Sequence, residues 1–375
     1  MLIKGSSRLP QNTRNILVIQ LGDLGDVVLT IPTLRALREN FPGSRLVVVL
    51  REKARGLLEG SPWVAEVVYV SKKKRNVPEE LAYQVTFFSK LRKHHFDVSF
   101  DLRTGTRGAF LSLLSGARIK VGRYAENGKL WRVRLFTHLV RPENELDQYC
   151  AEHGLNILAP FGIQTENRLP VLFVPPEKKE RASIILREEN VPADKPIIAI
   201  QPFSLWGYKE WGAHNYIELI KWIQTRFSLP IVILGSSQER SRATEIIEKT
   251  KPGTYNMAGK ISVAELPAVI QSSSLLIGGD SVGIHIAAAV GTPTVSLFGP
   301  SSPVNWAPRG DKHYVVQKSW ACIPCRQKGC RNSGISRCLE ELTVDEVIPV
   351  VEKQVRRRLE GQSGTCEAQT DHLLK

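Results

Sequence analysis

Residues 15–21 (NILVIQL) form a continuous apolar run, the pattern of a strand buried on both faces of a parallel sheet. A glycine-containing turn, Gly22–Asp26, follows. Val27–Phe41 then reads as a helix, because Leu34, Leu37 and Phe41 recur at i, i+3 and i+7 with Arg35, Arg38 and Glu39 between them. Pro42-Gly43 ends it, and Arg45–Leu50 is the next strand. The alternation continues with a strand at Val67–Val70, a helix near Glu79–Lys93, a strand at Asp97–Asp101, a helix near Arg107–Leu114 and a strand near Arg118–Val121.

A second series begins after Pro175-Pro176. The spacing predicts helices at Glu177–Glu189, His214–Phe227, Gln238–Lys249 and Ile284–Val290. They alternate with strands at Pro196–Ile200, Pro230–Leu234, Leu275–Ile277 and Thr294–Leu297. Two runs of β–α alternation imply two doubly wound α/β domains. The boundary is expected within Leu169–Lys179 and the active site in the cleft between the domains, at the carboxyl ends of strands. A last helix is expected at Thr343–Leu359, and residues 361–375 read as a mobile tail.

Composition changes this picture little. At 375 residues, 42% hydrophobic and 23% charged, the chain has ordinary globular make-up, and no apolar stretch reaches the length of a membrane span. The first fifteen residues lack the apolar segment of a secretory signal, so a cytoplasmic protein, resting on a membrane surface or not, is expected. Charge says more. With 51 Lys+Arg against 37 Asp+Glu, the net +14 favours an anionic partner: nucleic acid, an anionic lipid surface or a phosphorylated substrate. No zinc-finger, RRM or helix-turn-helix signature accompanies it.

Several segments could carry chemistry. In Gly22-Asp23-Leu24-Gly25-Asp26, between a buried strand and a helix, a carboxylate is either a helix cap or a general base aimed at a substrate hydroxyl. Gly278-Gly279-Asp280-Ser281-Val282-Gly283-Ile284-His285 opens an Ala-rich helix, whose free amides suit a diphosphate. Asp280 and Ser281 would hold sugar hydroxyls or cap the helix, and a lone His285 is more often a packing residue. In QPFSLWGYKEW (residues 201–211), Lys209 would pair with phosphate oxygens and Ser204 donate to them, or Lys209 is simply solvated; Trp206 and Trp211 read as local packing. Glu239, beyond the strand Pro230–Leu234, would bind ribose hydroxyls or serve the helix N-terminus.

Cys322, Cys325, Cys330 and Cys338 lie within 17 residues, and their spacing leaves a zinc site, reduced thiols and redox-sensitive disulfides open. Basic residues of the first half (the run 72–75, then Arg103, Arg107, Arg118, Lys120, Arg123, Arg132 and Arg134) would attract an anionic acceptor if they line a cleft. No D-x-D motif is present to carry a metal-bound nucleotide, so metal-free stabilisation of a leaving group fits better.

Together these segments resemble glycosyltransferase family 9, the ADP-heptose:lipopolysaccharide heptosyltransferases. The resemblance rests on ILVIQLGDLGDVVLTIPTLRALRENFPGSRLVVV at the N-terminal end, the segment LLIGGDSVGIHIAAAVGTPTVSLFGPSSPVNWAP, and Lys209-Glu210-Trp211 and Gly235–Glu239 in the right order between them. It covers the chain up to about residue 357. It implies a GT-B fold: an acceptor-binding Rossmann-like domain at 1–175, a nucleotide-sugar-binding one at 176–345 facing it across a cleft, and a helix at 346–360 packing back on the first domain.

The resemblance further implies inverting transfer of heptose from ADP-heptose to the phosphorylated lipid A–core oligosaccharide, with no metal and no cofactor. Asp26 matches the family's base, Lys209 the lysine at the leaving diphosphate, Glu239 the carboxylate at the ribose and Asp280 the residue at the heptose hydroxyls. Ser281, Val282 and Gly283 match the phosphate-binding amides, His285 closes that motif, and Lys260-Ile261 match a segment whose backbone meets the adenine. Arg103, Arg107 and Arg123 are the residues expected at the acceptor. The family motif usually reads D-[ST]-G-x-x-H, whereas here glycine falls one position later, and Ser204-Leu205 replaces a more polar pair. The segments LRTGTRGAFLSLLSGARIKVGRY and LFTHLV look like the branch that adds a third heptose. An enzyme at the inner face of the inner membrane, binding its anionic surface and no nucleic acid, is expected. The rival readings are a transferase of the same fold with another donor or acceptor, and a non-catalytic binder, which would need no base.

Overall fold

The computed structural model describes residues 1–370 apart from 11, 72, 74, 75 and 127–129, with only the backbone described at 130 and 361–370. Two compact units divide at Phe173/Val174.

Among the described residues, the first unit carries seven strands: β1 (Leu2–Lys4), β2 (Asn15–Gln20), β3 (Arg45–Arg51), β4 (Glu66–Val70), β5 (Val98–Asp101), β6 (Ile119–Arg123) and β7 (His138–Val140). Their order is β1-β7-β6-β5-β2-β3-β4, parallel except for β1 against β7. Its helices are α1 (Leu24–Leu29), α2 (Ile31–Asn40), α3 (Val77–Arg92), α4 (Thr106–Leu114), α5 (Leu130–Leu135) and α6 (His153–Leu158). Ile16–Ile19 and Leu46–Leu50 are fully buried, as continuous apolar runs in a covered parallel sheet must be.

The single helix expected over Val27–Phe41 is in fact two. Pro32 occupies the first turn of α2, where its missing N–H is no loss, and its ring disfavours continuation of α1 through the preceding turn. Thr30 marks the break and donates its hydroxyl to the Asp26 carbonyl at 2.7 Å. Helix α1 also begins at Leu24, so Asp26 sits in its first turn rather than in a loop.

The second unit has strands β8 (Ile198–Gln201), β9 (Ile231–Ile233), β10 (Thr254–Asn256), β11 (Leu275–Gly279), β12 (Thr294–Leu297) and β13 (His313–Val316), all parallel, in the order β10-β9-β8-β11-β12-β13. Helices α7 (Pro176–Glu188), α8 (Ala213–Phe227), α9 (Arg240–Glu248), α10 (Leu266–Gln271), α11 (Val282–Val290), α12 (Pro303–Trp306), α13 (Arg337–Glu340) and α14 (Val344–Thr370) accompany it.

The last helix departs from expectation. Val347, Val351 and Val355 of α14 are buried in the core of the second unit with Leu219, Ile223, Leu297 and Val316. This i, i+4, i+8 apolar stripe is buried within the second unit, whereas the family resemblance implies a helix packing back on the first domain. The backbone of α14 runs on to Thr370, through residues read as tail; 371–375 lie outside the described residues. Among the described residues no helix is long and apolar enough to cross a membrane.

Candidate active site

In each sheet the strand order reverses once. In the first it reverses between β2 and β5, in the second between β8 and β11. Loops leaving such neighbouring strands run to opposite faces and open a crevice at the carboxyl edge. The candidate residues gather at these two edges.

At the first edge, β2 runs through Leu21 and Gly22 into α1. Asp26 accepts the Asp23 backbone N–H at 2.8 Å through Oδ2, closing a capping box. The same oxygen lies 2.9 Å from Arg103 Nη1, beyond the end of β5; Asp26 is 23% exposed. The cap fixes the carboxylate while leaving it open to solvent. Gly22 makes room for it, since a Cβ there would fall 2.2 Å from Asp26 Oδ2. Neighbouring Asp23 pairs with Lys53 and Arg51. Partial burial pushes its carboxyl up, but Lys53 and Arg51 outweigh that and hold it below its ordinary value.

Arg103 is itself held by a buried pair that the sequence did not reveal. Asp101, 1% exposed, accepts the Arg103 backbone N–H at 3.2 Å and the Arg132 guanidinium at 3.0 Å. Arg132 also donates to the carbonyls of Arg103 and Arg123 at 2.7 and 2.8 Å. Burial pushes the Asp101 carboxyl up to about 7 against the opposing pull of Arg132.

Arg107 lines a small cavity of about 110 Å³ together with Arg51, Asp101 and Arg103, and donates to the Ser71 carbonyl at 3.3 Å. Arg123 is not part of this group: its guanidinium forms a two-pronged pair with Glu145. Of the basic run 72–75, only residue 73 lies among the described residues.

At the second edge, Lys209 follows β8 in a single 3-10 turn and Asp280 follows β11. Lys209 Nζ donates to Asp280 Oδ2 at 2.6 Å, with the two side chains 18% and 5% exposed. The Trp306 ring lies 5.7 Å from the ammonium and 6.3 Å from the ring of buried His285. Ser281 is the N-cap of α11, and its hydroxyl is buried without a hydrogen-bond partner. Gly283 is required by close approach: a Cβ would lie 1.9 Å from Gln201 Oε1, a buried atom that also lacks a partner. The shifted glycine of this chain thus meets a side chain of the adjacent strand β8. Gln201 was passed over in the sequence because only the β8–β11 pairing, Gln201 beside Gly278, brings it here.

The remaining candidates lie around this edge with partners of their own. Ser204 accepts the Trp206 N–H at 3.3 Å and donates its backbone N–H to Glu210 at 3.0 Å. Glu239 closes a capping box, accepting from the Ser236 N–H and hydroxyl at 2.6 and 2.9 Å, so the capping alternative is realised. Lys260 pairs with Glu189, and Ile261 is half-buried beside it. Trp211 is core, donating Nε1–H to the Leu342 carbonyl at 2.6 Å, whereas Trp206 is 46% exposed.

The four clustered cysteines are free thiols. Burial, and then the neighbouring thiols, push Cys338 up to about 11. Among the described residues no three of His, Cys, Asp or Glu are grouped to hold a metal ion, so the zinc alternative finds no ligand set here.

A sequence model of glycosyltransferase family 9 (heptosyltransferase) matches residues 85–336. The chain is similar to lipopolysaccharide heptosyltransferase 3 of Escherichia coli, 27% identical over 347 residues that cover 90% of this chain and 98% of that protein. Its fold is that of a family 9 glycosyltransferase from Veillonella parvula (TM-score 0.79, 22% identity, 94% of this chain and 100% of that one). It is also that of the E. coli ADP-heptose lps heptosyltransferase II (TM-score 0.75, 22% identity, 93% and 99%). With the family match spanning more than half of its length and the same fold beneath it, the chain belongs to glycosyltransferase family 9 and is a glycosyltransferase.

Proposed function

We propose that this enzyme transfers heptose from ADP-heptose to the inner core of lipopolysaccharide, with inversion and without a metal ion, on the cytoplasmic side of the inner membrane. The observation that carries the reading is the pairing at the two switch points: Asp26 with Arg103 in one unit, Lys209 with Asp280 in the other. The similarity to a lipopolysaccharide heptosyltransferase 3 supports the acceptor class, and the fold of an ADP-heptose-named relative supports the donor.

In this reading the second unit holds the donor. The first-turn amides of α11 have no intrahelical partners and, with Lys209, face the diphosphate. Asp280 holds Lys209 in place and accepts from the heptose hydroxyls, Glu239 serves the ribose and Lys260-Ile261 border the adenine. The first unit supplies the base. Asp26 takes the proton of the acceptor hydroxyl as its oxygen bonds to the anomeric carbon, and the bond from that carbon to the diphosphate oxygen breaks. The electron pair leaves with ADP, whose developing charge Lys209 and the helix amides stabilise. Direct displacement by one base inverts the anomeric carbon. Arg103 and Arg107 orient an anionic acceptor.

Calorimetric titration with ADP-heptose, ADP-glucose and UDP-glucose tests the donor assignment. Binding of ADP-heptose well above the other two is the expected result. A preference for UDP-glucose would overturn the assignment while leaving the family membership intact.

A further inference from the structure

Helix α3 is out of keeping with the rest of the first unit. Of its sixteen residues only Leu91 is fully buried. Val77, Leu81 and Val85, at i, i+4 and i+8, are 83%, 66% and 62% exposed. Beside this stripe, between α3 and α4, lies an apolar groove of about 680 Å³ lined by Val85, Phe88, Phe110 and Leu114, with Arg92 and Arg107 at its margin. Phe110 and Leu114 are themselves 44% and 37% exposed. An apolar surface of this extent on a helix that packs so little of itself marks an interaction face.

The charge around it selects the occupant. Among the described residues at the two ends of α3, Lys73, Lys90, Arg92 and Lys93 stand against Glu79 and Glu80. Glu79 is engaged in the capping box with Asn76, and Glu80 accepts from Gln84. A second copy of the chain, docked face to face, would bring two such basic segments together. An anionic bilayer offers both an apolar layer for Val77, Leu81 and Val85 and negative headgroups for the flanking cations. The groove also shares Val70 and Arg107 with the small cavity beside Arg103, so the face adjoins the edge that carries Asp26.

We infer that α3 and the α3–α4 groove are the face by which this protein docks on an anionic phospholipid bilayer. The inference locates the membrane contact of the proposed function, but its test does not depend on sugar transfer. The full chain is sedimented with vesicles of phosphatidylcholine and with vesicles containing phosphatidylglycerol, alongside the V77S/L81S/V85S variant. Folding of the variant is checked by its circular dichroism and melting profile. The parent is expected to bind the anionic vesicles and not the neutral ones, and the variant to lose at least about tenfold in partitioning. Equal partitioning of parent and variant, or no binding by the parent, overturns the inference. So does a parent dimer in light scattering that the same substitutions dissociate. Because all three positions are exposed, a variant that fails to fold would also contradict the account, by showing that the stripe is needed within the unit.

Discussion

Replacing Lys209 by methionine keeps an unbranched side chain of similar length and removes the ammonium, which lies 5.7 Å from the Trp306 ring. At 2.6 Å from Asp280, a unit-charge pair in an effective dielectric of about 20 attracts by about 6 kcal/mol before desolvation is charged against it. The net value of the pair is far smaller, but the cost of breaking it from one side is not. Asp280 is 5% exposed and would be left as an unpaired buried carboxylate. Fully buried pairs broken this way lose about 3–5 kcal/mol; water reaching the 18%-exposed Lys209 position lowers the expected loss to about 2–4 kcal/mol. The K209M/D280N double variant removes the stranded charge and should return to within about 1 kcal/mol of the parent. Urea unfolding of the parent, both single variants and the double variant closes the cycle. Turnover should behave oppositely: both K209M and the double variant lose leaving-group stabilisation, so restored stability must not restore activity. Additive stabilities would refute the coupling, and a stable, active double variant would refute the catalytic placement of Lys209.

Three further outcomes follow from the geometry. Gly22→Ala puts a methyl 2.2 Å from Asp26 Oδ2, so turnover should fall at least about tenfold while urea unfolding shows a loss of only about 1–3 kcal/mol. His313, whose Nδ1 lies 3.1 Å from the Thr294 hydroxyl, is pushed down to about 4, mainly by burial. Its folded-state value lies below its unfolded one, so the fold binds fewer protons and stability is lost as pH falls from about 6.5 towards 4. With the ring partly solvated, that loss should total about 2–3 kcal/mol, and His313→Gln should flatten this part of the pH–stability profile. Prolonged treatment with a chelator should leave initial rates unchanged; loss of rate restored by a divalent ion would remove the metal-free step.

The sequence-to-structure relation differs between elements and sites. The buried stretches of β2 (Ile16–Ile19), β3 (Leu46–Leu50) and β11 (Leu275–Ile277) were legible because the covered part of a parallel strand is a continuous apolar run. Three-residue strands such as β1 and β7 are too short to show a period, and they exist through pairing with distant segments. The break between α1 and α2 was hidden because Leu34, Leu37 and Phe41 keep helical spacing after it, while Pro32, its cause, is compatible with the first turn of a helix. Asp26, Lys209 and Asp280 were each legible as candidates from their place after a strand. What the sequence withheld is their pairing: Lys209 and Asp280 are 71 residues apart and meet only because β8 and β11 are neighbours. For the same reason Arg123 looked like Arg103, although Glu145 neutralises it, and the buried Asp101–Arg132 pair gave no local signal at all.

The central claim is that Asp26 is the base, and its direct test is the turnover of Asp26→Asn with ADP-heptose and a heptose-bearing core acceptor. Asparagine keeps the shape and can still accept the Asp23 N–H, but it cannot take a proton. The half-exposed Arg103 loses little by being left without its partner. The account predicts that kcat falls by about 10²–10⁴-fold while donor affinity, measured by calorimetry, stays within about twofold of the parent. Turnover near that of the parent, in a variant with unchanged donor binding, would contradict it.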